Sequence, residues 1–155
     1  MTDIWSDDHE GNADHKTGAD DAQVLATAVV DSASGLGGEG RAGIHRLRVD
    51  EGLSVGGHDE GFNPFQLVLL GLAQCTAATL RLYADRKGWE LGQIRVRVRL
   101  VQDGDGASAQ QRIERQVRIA AELDADQTSR LAEIADRTPV TRTLRSGVAI
   151  ETTMV

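Results

Sequence analysis

A single cysteine, Cys75, is all the thiol this 155-residue chain carries, so no disulfide can form within it. Aromatic residues amount to 3%, too few for a large aromatic ligand cage. Basic residues number 17 against 24 acidic ones, and the resulting formal charge of −7 argues against nonspecific binding to nucleic acid or to an anionic membrane. The acidic start, MTDIWSDDHEGNADHKTGADD, lacks the basic end and apolar run of a signal peptide. The longest apolar run is broken by Gln66 and Gln74 and closes on Arg81, Asp85, Arg86 and Lys87, so no transmembrane span is expected. These absences lead to the expectation of a soluble, cytoplasmic protein with no cofactor and no metal.

The chain divides into a flexible acidic tail, 1–21, and one domain, 22–155. The tail mixes Asp, His, Gly and Asn without apolar periodicity, and its Trp5 is a candidate contact for a partner subunit. His9 and His15 stand among acids there, but a solvated tail explains them better than a metal site, and His45 and His58 lack ligand spacing. From Gln23 to Val30 the residues favour a strand, SASGLGGEG makes a glycine-rich turn, and a second strand is expected near 41–49, forming a hairpin. Leu53 and Val55 are read as a further short extended piece before Gly56 and Gly57.

Asn63 followed by Pro64 marks a helix start, because Asn can cap free amides and proline at the first helical position loses no hydrogen bond. The helix is predicted to run to Lys87, where Gly88 stops it and Arg86 and Lys87 meet the negative end of its dipole. Between Phe65 and Ala78 it is apolar nearly all round, more than one face of a small monomer can cover. A central helix covered by a second subunit is the expectation. Beyond it, Ile94, Val96, Val98 and Leu100 alternate with Arg95, Arg97 and Arg99, the period of a half-buried strand. Ile113, Val117 and Ile119 repeat the pattern after a DGDG turn, and the arginine row is read as a solvated face paired with Glu114 and other acids. Asp124 and Gln127 fit a capping box that opens a helix burying Leu131, Ile134 and Ala135. Thr138 and Pro139 start another helical turn that Gly147 ends, and 148–155 alternates as a closing strand.

A lone cysteine on such a helix is ordinarily an inert small hydrophobe. The order of Gly56-Gly57, an Asn-Pro helix start and LGLAQCTAATLRLYADRKGW, however, resembles the OsmC/Ohr family of thiol-dependent hydroperoxide reductases. The segment RLAEIADRTPVTRTL resembles that family's second-cysteine region, and the likeness extends from about Arg41 to the C-terminus. It implies an α+β, OsmC-like fold: curved antiparallel sheets around a long central helix, in an intertwined homodimer with active sites at the interface.

The resemblance also implies roles. Cys75 falls on the peroxidatic cysteine, which attacks the terminal peroxide oxygen and becomes a sulfenic acid. Arg41 is the best match to the arginine that stabilises the thiolate, with Arg46 and Arg48 as alternatives. The glutamate that holds that arginine has no counterpart, since Phe65 and Gln66 occupy its place, and Gln66 can orient an arginine only by a neutral hydrogen bond. The resolving cysteine falls on Thr138 and the histidine three positions on falls on Thr141. Each has a structural explanation as well: Thr138 as a helix cap, Gln66 as a helix former, Thr141 in a solvated first turn. A free thiol titrates near ~8.5, so a nucleophilic Cys75 needs a cation beside it, about three turns from the helix N-terminus.

Two functions follow. One is a one-cysteine hydroperoxide reductase using an external thiol reductant, with Cys75 as nucleophile, Arg41 as its cation, and Gln66, Leu72 and Ala78 at the pocket for an organic peroxide. The other is a non-catalytic dimer that binds a small apolar or thiol-reactive ligand, with Cys75 as lining.

Overall fold

A computed structural model describes residues 23–105 and 109–155. The tail, with Trp5, His9 and His15, lies outside the described residues. The chain forms two compact units, one ending at Asn63 and one spanning Pro64–Val155.

The first unit is a three-stranded antiparallel sheet in the order β1 (Val29–Asp31), β2 (Gly38–Ala42), β3 (His45–Val49). The expected hairpin therefore has one strand more. The second predicted strand is two, because Gly43 (φ 57°) reverses the chain between Ala42 and His45, in the left-handed region that glycine enters without a Cβ penalty. β2 lies partly inside the glycine-rich run that the sequence suggests is all turn, and the first strand begins only at Val29. Leu53–Val55 is a 3₁₀ turn rather than an extended piece.

A loop folded around one carboxylate follows β3. Asp50 is 5% exposed, and its oxygens accept from the backbone N–H groups of Glu51 (2.8 Å), His58 (2.9 Å) and Glu60 (3.2 Å). The Glu60 N–H, followed by those of His58 and Glu51, holds the Asp50 carboxyl below its ordinary value. A depressed folded value means that the carboxylate stabilises the loop above its unfolded pKa and loses that contribution as pH falls through the folded one. Acid unfolding of Asp50→Asn, followed below pH ~4, is therefore expected to show a shallower loss of stability than the parent. Equal slopes would show that the cage contributes nothing. Gly57 closes the same loop so tightly that a Cβ there would lie 1.9 Å from the Glu51 carbonyl oxygen. Since backbone cannot yield as a side-chain tip does, Gly57→Ala is expected to cost about 2 kcal/mol in denaturant unfolding; an unchanged midpoint would contradict this.

The second unit is built on α1 (Pro64–Lys87), with the predicted bounds and with Gly88 at φ 68° after it. β4 (Ile94–Asp103) and β5 (Gln110–Ile119) pair antiparallel, Ile94 opposite Ile119 and Leu100 opposite Ile113. α2 (Ala125–Ala135) opens with the expected capping box, Asp124 accepting from Gln127 N and Gln127 accepting from Asp124 N. α3 (Pro139–Ser146) follows. The core gathers Leu80 and Ala84 of α1, Leu91, and Leu131 and Ala135 of α2. Tyr83 and Trp89 close its edge in a T-shaped contact, centroids 5.8 Å apart, with Arg130 Nε donating to Tyr83 Oη at 3.0 Å.

Residues 148–155 form no strand: Val148, Ile150, Met154 and Val155 are exposed and no described strand pairs with them. Alternation alone cannot make a strand without a sheet edge to receive its backbone.

Burial along α1 is uneven. Its buried residues, Leu72, Thr76, Leu80 and Ala84, form one stripe at four-residue spacing. Phe65 (59% exposed), Val68 (42%) and Leu70 (50%) leave the first turns largely uncovered. Among the described residues α1 is the one helix long and apolar enough to cross a membrane, at mean hydropathy 1.4, a test that the core helix of a water-soluble fold also passes.

Candidate active site around Cys75

Cys75 sits one residue off the buried stripe, half-buried, and its carbonyl accepts a hydrogen bond from Thr79 Oγ1 at 2.7 Å. The next residue, Thr76, is fully buried. Its hydroxyl donates to the Leu72 carbonyl at 2.7 Å, the back-bond of a threonine within a helix, and accepts from Arg115 Nη1 at 3.1 Å.

Arg115 ties three elements together. The same Nη1 donates to Thr141 Oγ1 of α3 at 2.9 Å, and Nη2 donates to Asp136 Oδ1 at 3.0 Å. Its side chain is only 13% exposed. The chain of contacts continues from Thr141 to Thr138, hydroxyl to hydroxyl at 2.7 Å, and Thr138 Oγ1 also accepts from Thr141 N at 3.4 Å as the cap of α3. Thr138, which the resemblance sets at the resolving-cysteine position, is thus connected through three side-chain hydrogen bonds to the residue beside Cys75. The cap explanation for Thr138 holds. Thr141, in contrast, is not in a solvated turn: it is 6% exposed, because the buried guanidinium needs an acceptor there.

Arg115 escaped the reading of the sequence, although a signal was present. Ile113, Val117 and Ile119 set the inward parity of β5, and Arg115 shares it. The remaining arginines behave as expected of a solvated face. Glu114 bridges Arg99 and Arg112, Arg112 also reaches Asp103 Oδ2 at 2.6 Å, and the two guanidiniums, Arg112 before Arg99, hold the Glu114 carboxyl below its ordinary value.

Of the expected site residues, Cys75, Gln66 and Leu72 belong to the second unit and Arg41 to the first. Gln66 is exposed in the first turn of α1. Leu72 is 4% exposed and forms a wall of a cleft of about 550 Å³, whereas Ala78 does not line it. Arg41 donates to Asp31 Oδ2 at 2.5 Å, while its buried Nε has no hydrogen-bond partner among the described residues. The alternatives are also ion-paired, Arg46 with Glu39 at 2.7 Å and Arg48 with Glu60 at 2.6 Å.

The architecture is α+β, two antiparallel sheets and one long helix, and solved structures share it. An organic hydroperoxide resistance protein from Elizabethkingia anophelis, with thiocyanate bound, superposes with a TM-score of 0.64 at 18% identity, over 81% of this chain and 91% of that one. An organic hydroperoxide resistance protein OsmC from Legionella pneumophila gives 0.63 at 18% identity, over 80% and 91%. An OsmC-like protein from Mycoplasma pneumoniae gives 0.63 at 21%, over 81% and 89%. These likenesses establish the OsmC-like fold. No curated protein matches the chain in sequence. The model of the OsmC-like protein family matches residues 57–153, and the chain belongs to that family.

Proposed function

We propose that this chain is a one-cysteine, thiol-dependent hydroperoxide reductase acting on organic hydroperoxides in the cytoplasm, as a homodimer. The observation that carries the reading is the partial exposure of Cys75: the residue that the resemblance sets at the family's nucleophile position is half-buried rather than sealed, so a peroxide and then a thiol can reach it. Its thiolate attacks the terminal peroxide oxygen, the O–O bond breaks, and the alkoxide leaves with a proton as the alcohol while Cys75 becomes a sulfenic acid. An external thiol then attacks the sulfenic sulfur and releases water. A second thiol reduces the mixed disulfide and returns Cys75 to the thiol. Two external thiols are thereby oxidised for each hydroperoxide reduced. Thr138 offers no sulfur, so no internal disulfide enters the cycle.

The names of the Elizabethkingia and Legionella proteins support the substrate class. The homodimer is supported by the exposed apolar first turns of α1, which a second copy would cover. Arg41 is the proposed thiolate cation and Gln66 the neutral group that orients it, with Leu72 in the apolar lining. One observation favours the non-catalytic alternative, a dimer holding a small apolar or thiol-reactive ligand: Arg41, Arg46 and Arg48 each already face a carboxylate.

Purified protein incubated with cumene hydroperoxide and either a monothiol or a dithiol is expected to consume peroxide, and Cys75→Ser is expected to consume none above background. Peroxide loss that does not differ between the two proteins would remove the enzyme reading and leave the binding one. A folded monomer at micromolar concentration would remove the dimer.

A further inference from the structure

The cleft beside Leu72 has a charge balance that the peroxidase reading does not use. Its lining includes Arg112, Arg115 and Arg145 against one carboxylate, Asp136. Arg112 is compensated by Asp103 and Glu114. Among the described residues Arg115 and Arg145 share one carboxylate, Asp136, and both donate to the same oxygen, Oδ1, at 3.0 and 3.3 Å. Arg145 also donates to the Asp136 carbonyl at 3.1 Å. That cluster keeps one positive charge in excess, on a chain whose formal charge is −7.

The rest of the wall is aliphatic. Leu72 and Leu100 line it together with Ile113 (38% exposed) and Leu144 (41%), apolar surface that water covers in the isolated chain. The volume, about 550 Å³, falls within the ~300–1,000 Å³ typical of small-molecule sites.

We propose that this cleft binds an amphipathic monocarboxylate, its head on the Arg145 edge of the Arg115–Asp136–Arg145 cluster and its aliphatic chain over Leu72, Leu100, Ile113 and Leu144. A monoanion cancels the single excess charge, while a dianion would leave one negative charge uncompensated beside Asp136. A neutral chain would leave the guanidinium excess unanswered, and a cationic one would meet repulsion. Arg145 is the specificity-determining group because its side chain is 64% exposed and open to a head group from solvent, whereas Arg115, 13% exposed, is committed to Thr76, Thr141 and Asp136.

The test uses the full chain carrying Cys75→Ser, so that its outcome is independent of peroxide turnover. Isothermal titration with decanoate and with decan-1-ol is expected to give saturable decanoate binding, with decanol at least about tenfold weaker. Arg145→Gln is expected to bring decanoate down to the level of decanol with an unchanged far-ultraviolet circular dichroism spectrum. No decanoate binding, equal affinity for the two ligands, or full decanoate affinity in Arg145→Gln would each overturn the proposal.

Discussion

Replacing Arg115 with alanine is expected to cost about 3 kcal/mol of stability, seen as a fall in Tm of roughly 6–12 °C for a chain of this size. The guanidinium is 13% exposed and satisfies Thr76, Thr141 and Asp136 together. Its removal leaves two buried hydroxyls short of a donor and opens the space between α1, β5 and α3. An unmet buried polar group costs more than a made hydrogen bond contributes, so the loss exceeds the worth of the contacts counted singly. Arg115→Lys should recover little, since one ammonium cannot span acceptors that the planar fork reaches at once. Arg118→Ala, on the opposite face of the same strand, is the control and should move stability by no more than ~0.5 kcal/mol. If Arg115→Ala behaves like that control, the network is an ornament of the fold and not a support.

The second large effect is expected from Thr138→Cys. The three hydrogen bonds from Thr138 through Thr141 and Arg115 to Thr76 bring the α3 cap toward the turn of α1 that carries Cys75. Mild peroxide treatment of this variant should give a disulfide between the two cysteines, a mass lower by two hydrogens with neither thiol open to alkylation. Two alkylatable thiols after that treatment would show that Thr138 does not face Cys75. The loss of the hydroxyl cap is a separate and smaller matter, about 1 kcal/mol.

Much of the second unit was legible because each of its boundaries is written in local chemistry. Asn63-Pro64 and Gly88 bracket α1, Asp124 with Gln127 opens α2, and Thr138-Pro139 opens α3. The first unit resisted because its strands are short and glycine-rich, so that β2, with two glycines among its five residues, reads as turn until its partners are known. Residues 148–155 misled for the opposite reason, since their alternation describes a strand but says nothing about whether an edge is there to receive it.

In the candidate site, position and chemistry separated. Cys75 and Thr138 were found by resemblance, and the structure connects their surroundings. Arg115 is hard to single out in the sequence because an arginine on a strand is most often solvated, and only the parity it shares with Ile113, Val117 and Ile119 marks it as inward. Arg41 shows the converse: sequence supplies a candidate cation, but not the carboxylate that engages it, Asp31 on the neighbouring strand.

The uneven burial of α1 divides the helix into an anchored end and an exposed one. Leu80 and Ala84 fasten the helix to Leu91, Leu131 and Ala135, while Phe65, Gln66 and Leu70 at the other end contribute to no such cluster. The core that holds α1 lies downstream of Cys75, so the exposed positions of its first turns can change residue at little cost to the architecture. Gln66, where the resemblance expects a carboxylate, is one of those exposed positions, so side-chain chemistry there can change on a scaffold that does not.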